Sequence, residues 1–174
     1  MTAEPPLYVR DPQAWRAYLA EGNATQPRKR VSADMLMFDA AGRFLLVDPS
    51  YKPDWDLPGG MAEANEPPHT AARREVKEEL GLDAEPGRVL VVDWVAPHDP
   101  WDDEIAFVFD GGTLTEAQAG SLYPADGELQ AFEFCTAGQA RERLSPRRWR
   151  RTSAALEAVR SGQMRYLHDG YPLG

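Results

Sequence analysis

Three glutamates lie close together in the segment GGMAEANEPPHTAARREVKEELGL, which spans residues 59–82. Glu75, Glu78 and Glu79 are spaced at i, i+3 and i+4, so they would share one face of a helix. Like charges at this spacing destabilise an isolated helix. The cluster therefore indicates either a solvated charged face or a site that holds a cation.

Carboxylate oxygens are hard ligands, and a group of three suits Mg²⁺ or Mn²⁺. Mg²⁺ is typically bound by a few carboxylates, keeps several waters and shares its remaining positions with substrate phosphates. A divalent ion neutralises phosphate oxygens, positions a water and lowers its pKa, and a carboxylate can then take the proton. The glutamates could thus support metal-assisted attack of water on a phosphate compound, but a glutamate-rich helix taken alone favours the solvated charged face, and the surrounding residues have to decide.

The residues around the glutamates have a defined spacing: Gly60, five residues, Glu66, seven residues, then REVKEELGL from Arg74 to Leu82. This pattern matches the signature box of the Nudix hydrolases without a gap, and WDLPG at residues 55–59 also resembles the family. The resemblance implies an α/β protein with the Nudix fold, an α/β/α sandwich around a mixed β-sheet. It also implies hydrolysis of the diphosphate linkage in a nucleoside diphosphate joined to another group.

The resemblance implies a role for individual residues of the box, which holds one to three divalent cations in this family. Glu78 and Glu79 correspond to the main metal ligands, and Glu75 to a glutamate that binds metal or activates water. Arg74 would orient the glutamates through charge-assisted hydrogen bonds. Gly60 would let the backbone turn into the site, with its carbonyl as a further ligand.

Two loop residues of the box are expected to act on structure rather than on chemistry. Glu66 would support the loop and the helix. Asn65 stands where many family members have glycine. Because Asn is the next-best residue for positive φ, we expect the loop conformation to be kept.

Residues outside the box would complete the site. Glu128, in DGELQAFEF, matches a position before the last core strand at which many family members carry the general base or a further ligand. The alternative interpretation of Glu128 is a turn residue at a strand entrance. Glu104 is the second candidate for the general base or further ligand. Trp101 is predicted either to stack on a nucleobase or to pack internally. Tyr51 and Lys52 are predicted to reach a substrate phosphate.

The helix that carries the glutamates is predicted over residues 67–80, with Gly81 as its stop. Ala72, Val76 and Leu80 would form its buried stripe. Alternating or β-branched runs predict strands at 31–38, 43–47, 88–97, 105–112 and 129–136. Asp11 as an N-cap predicts a helix at 11–22, and the capping-box spacing of Thr136 and Gln139 predicts one at 137–144. A further helix is predicted at 145–162, packed through Trp149, Ser153, Leu156 and Val159.

The predicted organisation is an N-terminal extension with a short helix at 1–30, followed by a Nudix domain at 31–174 that includes the C-terminal helix. The basic run at residues 28–30 is interpreted as part of a solvated linker, with a phosphate contact as the alternative. The cluster RRWRR at 147–151 would be spread around the girth of its helix.

Composition bounds the other properties of the 174-residue chain, which is 43% hydrophobic and has a formal net charge of -9. The charge argues against non-specific nucleic-acid binding. Cys135, the single cysteine, is interpreted as a small buried hydrophobe. Neither a transmembrane helix nor a secretory signal is indicated, so a cytoplasmic location is expected by default. The oligomeric state stays open, with a homodimer as one option because dimers are common among Nudix proteins.

The expected function is metal-dependent hydrolysis of a small nucleotide diphosphate derivative. Three alternatives stay open at this stage. One is a pyrophosphohydrolase that acts on RNA 5′ ends, and another is a sensor that binds a nucleotide without turnover. The third is isomerase chemistry on isoprenoid diphosphates, for which Cys135 lies too far along the chain from the box.

Overall fold

The computed structural model describes residues 4–125 and 127–173. Within these ranges, no helix combines the length and the apolar character needed to cross a membrane. The helices are α1 Leu7–Arg10, α2 Pro12–Thr25, α3 Pro68–Leu80, α4 Glu116–Gly120, α5 Ala137–Arg143 and α6 Pro146–Ser161. The strands are β1 Arg30–Phe38, β2 Phe44–Pro49, β3 Gly59–Met61, β4 Val89–Val95, β5 Glu104–Thr113, β6 Leu129–Cys135, β7 Arg165–His168 and β8 Tyr171–Pro172.

The strands form one mixed sheet in the order β6-β2-β1-β5-β4-β7-β8, and β3 pairs with β1 beside this path. The β1–β5 and β4–β7 pairs are parallel. The other pairs are antiparallel. Strand β1 therefore lies at the centre of the fold, next to both β3 and β5.

Side chains of β1 alternate between the two faces of the sheet, as the pleat requires. Met35 and Met37 belong to the apolar cluster that includes residues of α3. Leu36 belongs to the cluster on the opposite face, which includes Ala155 and Ala158 of α6. Helices cover both faces, so the predicted α/β/α sandwich around a mixed sheet is confirmed.

Local signals set several helix ends as predicted. Helix α3 stops at Gly81, whose φ of 69° is left-handed, and Thr136 forms the predicted capping box with Gln139. The predicted end of α2 at Gly22 was wrong, because the helix continues to Thr25. The helix ends where Gln26 precedes Pro27, since the proline ring disfavours helical backbone at the residue before it.

Some predictions failed where tertiary contacts decide the structure. The segment predicted as a loop at 48–60 contains the start of β3, whose pairing with β1 cannot be read from local periodicity. Helix α6 packs through a face adjacent to the predicted one. Trp149, Leu156 and Val159 are partly buried at its edge, whereas the fully buried residues are Arg151, Thr152, Ala155 and Ala158.

Candidate active site

Strand β3 and helix α3 hold the box together beside β1. Gly59 and Gly60 pair with Asp34 and Ala33 of β1 in an antiparallel register. A Cβ atom on Gly60 would lie 2.5 Å from the carboxyl carbon of Glu75, so a larger residue here would displace the Glu75 carboxylate. Gly60 lies within strand β3, and its role in turning the backbone into the site stays a prediction.

Arg74 joins the acidic residues of the box. Its Nε and Nη2 donate to the two carboxylate oxygens of Glu66 at 3.0 and 2.9 Å. Its Nη1 donates to Glu75 at 2.9 Å and to Glu78 at 2.9 Å. These contacts raise the pKa of Arg74, the bond to Glu66 being the largest cause, and lower the pKa of Glu66. Arg74 thus has the geometry of an orienting residue, and Glu66 supports the loop as expected.

The three glutamates have different environments. Glu79 is 6% exposed and accepts a hydrogen bond of 3.0 Å from the backbone N–H of Gly59. Glu75 is half-buried, and burial raises its pKa against the opposing effect of Arg74. Glu78 is the most exposed of the three side chains. The predicted common face therefore runs from a buried edge at Glu79 to a solvent edge at Glu78.

A cavity of about 690 Å³ lies against the box. Gly59, Gly60 and Met61 form one part of its wall. Because Gly59 also contacts Glu79 and Gly60 lies against Glu75, a molecule in this cavity would be adjacent to the box glutamates.

The residues predicted to bind substrate all line this cavity. The side chain of Trp101 is 54% exposed, and the guanidinium of Arg30 lies 4.5 Å from its ring centroid. Lys52 donates to Asp56 at 2.8 Å and lies 5.3 Å from the ring centroid of Tyr51. Trp101 is therefore not packed in the interior, and its exposed ring is available for stacking.

The two candidates for an external base differ in position. Glu128 is exposed in the turn before β6, and its charge contributes to raising the pKa of both Glu75 and Tyr51. Glu104 is buried in the cavity wall, where it accepts from Ser32 Oγ and lies 3.3 Å from Arg30. The fold thus brings Glu128 near Glu75, while Glu104 is held by two neighbours.

Buried charges connect the cavity to α6. Arg151 donates to Asp93 at 2.9 Å and lies 3.9 Å from Asp34. Asp93 also accepts from the backbone N–H of Gly170 at 3.0 Å. Burial alone would lower the pKa of Arg151, but Asp34 and Asp93 outweigh it and raise that pKa. This network fixes the first half of α6 against β4.

The model of the NUDIX domain family matches residues 28–155, which is more than half of the chain. The chain belongs to the Nudix hydrolase family. The recognition of the box from Gly60 to Leu82 is confirmed, and the match also includes Arg30 and the start of α6, which lie outside the box.

Two relatives of this Nudix protein have names that refer to different substrates. The ADP-ribose pyrophosphatase of Mycobacterium tuberculosis is 53% identical over 91 residues, covering 52% of this chain and 43% of that protein. Diphosphoinositol polyphosphate phosphohydrolase 2 of Rattus norvegicus is 39% identical over 80 residues, covering 45% of this chain and 42% of that protein. The matched region thus spans less than half of the length of each relative.

Solved structures share the fold at lower identity. The MutT protein of Methanosarcina mazei Go1 superposes with a TM-score of 0.62 at 23% identity, covering 79% of this chain and 99% of that chain. A UDP-X diphosphatase superposes with a TM-score of 0.67 at 17% identity, covering 88% of this chain and 74% of that chain. These similarities support the Nudix fold of this chain.

The box of this Nudix protein supplies donors of the kind that a divalent cation prefers, namely the carboxylates of Glu75, Glu78 and Glu79 and the backbone carbonyl of Gly60. Across residues 4–125 and 127–173, however, no group of three or more His, Cys, Asp or Glu side chains is already arranged to hold a metal ion. In this structure Arg74 donates to the carboxylates of Glu75 and Glu78, and Glu79 accepts from the Gly59 N–H. A cation that binds here would share these oxygens with Arg74 and the Gly59 N–H.

Sequence reasoning missed several residues of the cavity. Arg30 was assigned to a solvated linker, which was wrong, because it begins β1 and lines the cavity. Arg147, Arg148 and Arg151 line the same cavity, whereas the sequence predicted that the basic cluster spreads around its helix. Residue spacing could have placed these three on one side of α6, but only the packing of α6 directs that side towards the box.

The buried carboxyl of Asp34 predicts an effect of pH on stability. Burial and the charge of Asp56 raise the pKa of Asp34 from 3.8 to about 8, although Arg151 opposes the shift. The folded protein then binds more protons than the unfolded chain between these values. Its stability should fall as pH rises through this window, by up to about 1.4 kcal/mol per pH unit.

We therefore expect Asp34→Asn to gain stability relative to the natural protein as the pH rises from 5 to 8. Urea unfolding at each pH measures the difference in the free energy of unfolding. Asp102→Asn, which changes an exposed carboxylate, controls for net charge. A difference that stays constant across this pH range would contradict the prediction.

Proposed function

We propose that this protein is a metal-dependent pyrophosphohydrolase that cleaves the diphosphate linkage of a small nucleotide by attack of water at phosphorus. The observation that carries the proposal is the junction of box and cavity. Gly59 and Gly60 line a cavity of about 690 Å³ and also contact Glu79 and Glu75. A diphosphate in the cavity would therefore lie next to the carboxylates.

The residues of the box would bind the metal and hold its ligands in position in the proposed reaction. Glu75, Glu78, Glu79 and the Gly60 carbonyl would hold Mg²⁺, with Mn²⁺ as the alternative. When bound, the cation neutralises phosphate oxygens and lowers the pKa of a water. Arg74 keeps Glu75 and Glu78 in position by its shared Nη1 donor.

Proton removal and substrate binding use the neighbouring residues. Glu75 suits proton transfer because burial raises its pKa towards neutral pH. Glu128 is the second acceptor, since it lies close enough to influence Glu75. Lys52 and Tyr51 would contact phosphate, and Trp101 would stack on the nucleobase.

The cavity charges favour a nucleoside diphosphate joined to another group, such as ADP-ribose, over a heavily phosphorylated ring. Lys52 and Arg148 both pair with Asp56. Arg30 pairs with Glu104. In these pairs the three cations contact two carboxylates, which leaves one net positive charge among these five groups, too little for several phosphates. The relative named as an ADP-ribose pyrophosphatase agrees with this choice.

A panel of substrates tests the proposal. The protein is incubated with Mg²⁺ or Mn²⁺ and with ADP-ribose, other nucleoside diphosphate derivatives, nucleoside triphosphates, a diphosphoinositol polyphosphate and triphosphorylated RNA, with Glu78→Gln as control. We expect metal-dependent release of a nucleoside monophosphate, fastest for the ADP-ribose class and absent in the control. Nucleotide binding without turnover across the panel would favour a sensor, and preferred cleavage of RNA would favour the alternative substrate.

The organisation of the whole chain is part of the same proposal. Residues 31–174 would form the catalytic domain and residues 1–30 an extension to it. The homodimer and the cytoplasmic location stay predictions.

A further inference from the structure

Arg147 lies in the first turn of α6 and lines the same cavity as Gly59 and Gly60. Its side chain is half-buried rather than extended into solvent. The other cavity cations are Arg148 and Arg151 on the same helix and Arg30 and Lys52 from earlier in the chain. They differ from Arg147 in their contacts with carboxylates.

Each of the other four basic side chains in the cavity, His98 aside, has a carboxylate partner. These pairs are Lys52 with Asp56 at 2.8 Å, Arg148 with Asp56 at 2.7 Å, Arg30 with Glu104 at 3.3 Å and Arg151 with Asp93 at 2.9 Å. Each of these four cations thus has a carboxylate contact before any ligand enters, although Lys52 and Arg148 share Asp56.

Arg147 differs from these four side chains in its contacts. Within the described part of the chain, its guanidinium forms no hydrogen bond and no ion pair within 4 Å, and Glu104 and Asp169 act on it only at longer range. Burial and the charges of Arg151 and Arg148 lower the pKa of Arg147. A half-buried cation of this kind is destabilised until an anion approaches it.

We infer that Arg147 is a substrate-binding residue that contacts a phosphoryl group of the nucleotide diphosphate. The inference rests on the proposed function, since it assigns the anion to that substrate. A guanidinium offers two parallel donors to phosphate, which an ammonium cannot do. The alternative is that Arg147 is a solvated helix residue whose charge has no ligand.

Titration of the metal-free protein with inorganic pyrophosphate tests the inference without requiring turnover. We expect Arg147→Met to weaken binding in calorimetry by about 10-fold or more, and Arg147→Lys to recover part of the loss. Arg160→Met makes the same charge change at an exposed position of α6 and should bind as the natural protein does. Equal pyrophosphate affinity in Arg147→Met and Arg160→Met would overturn the inference.

Two further readouts separate binding from folding. The Tm of Arg147→Met without ligand should be unchanged or higher, because an unbalanced charge is removed, and a clearly lower Tm would show a structural role instead. With an active substrate, KM should rise about 10-fold with little change in kcat, since the contact is made before and during the reaction.

The two proposals can fail separately. Silence across the substrate panel, with pyrophosphate binding that depends on Arg147, would refute the hydrolase and keep the anion site. Hydrolysis that is unaffected by Arg147→Met, in KM and in pyrophosphate affinity, would keep the hydrolase and refute the anion site.

Discussion

Replacing Glu79 by Gln is expected to reduce the rate of hydrolysis by about 10³-fold or more while the protein stays folded, a loss of about 4 kcal/mol of transition-state stabilisation. Gln has the same size as Glu, and its amide oxygen can still accept the hydrogen bond from Gly59 N–H. The substitution removes only the negative charge that a divalent cation requires. Steady-state kinetics with Mg²⁺ on the best substrate of the panel measure the effect.

Glu78→Gln is expected to behave in the same way, since Glu78 is exposed and its substitution leaves the core unchanged. Without metal, both variants should be at least as stable as the natural protein because repulsion between the glutamates falls. Glu142→Gln changes an exposed carboxylate on α5 and serves as the matched control. Full turnover by the double variant Glu78→Gln/Glu79→Gln would refute the assignment of the box as the catalytic centre.

Arg151→Met is expected to lower the free energy of unfolding by about 3–5 kcal/mol. The substitution keeps most of the apolar stem but leaves the carboxylate of Asp93, which is 0% exposed, without its guanidinium partner. Within the part of the chain that the structure describes, the bond from the Gly170 N–H would be the one hydrogen bond left to that carboxylate. Urea unfolding followed by circular dichroism measures the loss.

A double-variant cycle identifies the buried charge as the cause. Adding Asp93→Asn to Arg151→Met removes the uncompensated carboxylate, so part of the lost stability should return. Arg160→Met, on the exposed side of the same helix, should change stability by less than about 0.5 kcal/mol. An Arg151→Met variant as stable as this control would show that the ion pair contributes nothing to the fold.

The buried pair also connects stability to the site. Arg151 fastens α6 to β4 through Asp93, and the turn before it carries Arg147 and Arg148 into the cavity. A weakened attachment should therefore disturb substrate binding as well as folding. The effect on KM at temperatures well below the unfolding transition would separate these two consequences.

The amino-acid sequence by itself determined the elements whose signals are local. The caps and glycines at Asp11, Gly81 and Thr136 set helix ends as predicted, because each acts on backbone within a few residues. The box could also be recognised from the sequence. Arg74, Glu75 and Glu78 lie on one helix, so their spacing alone determines that they contact one another. The fold class followed from this box.

Only the tertiary structure decided how the cavity is built. Arg30, Asp34 and Arg147 come from two elements far apart in sequence, and nothing in their local patterns indicates that they line one cavity. Their meeting depends on the parallel pairing of β1 with β5, the pairing of β3 with β1, and the packing of α6 against β4. These are long-range contacts, whose register is selected by the whole core, whereas helix caps and residue spacing act only over a few residues.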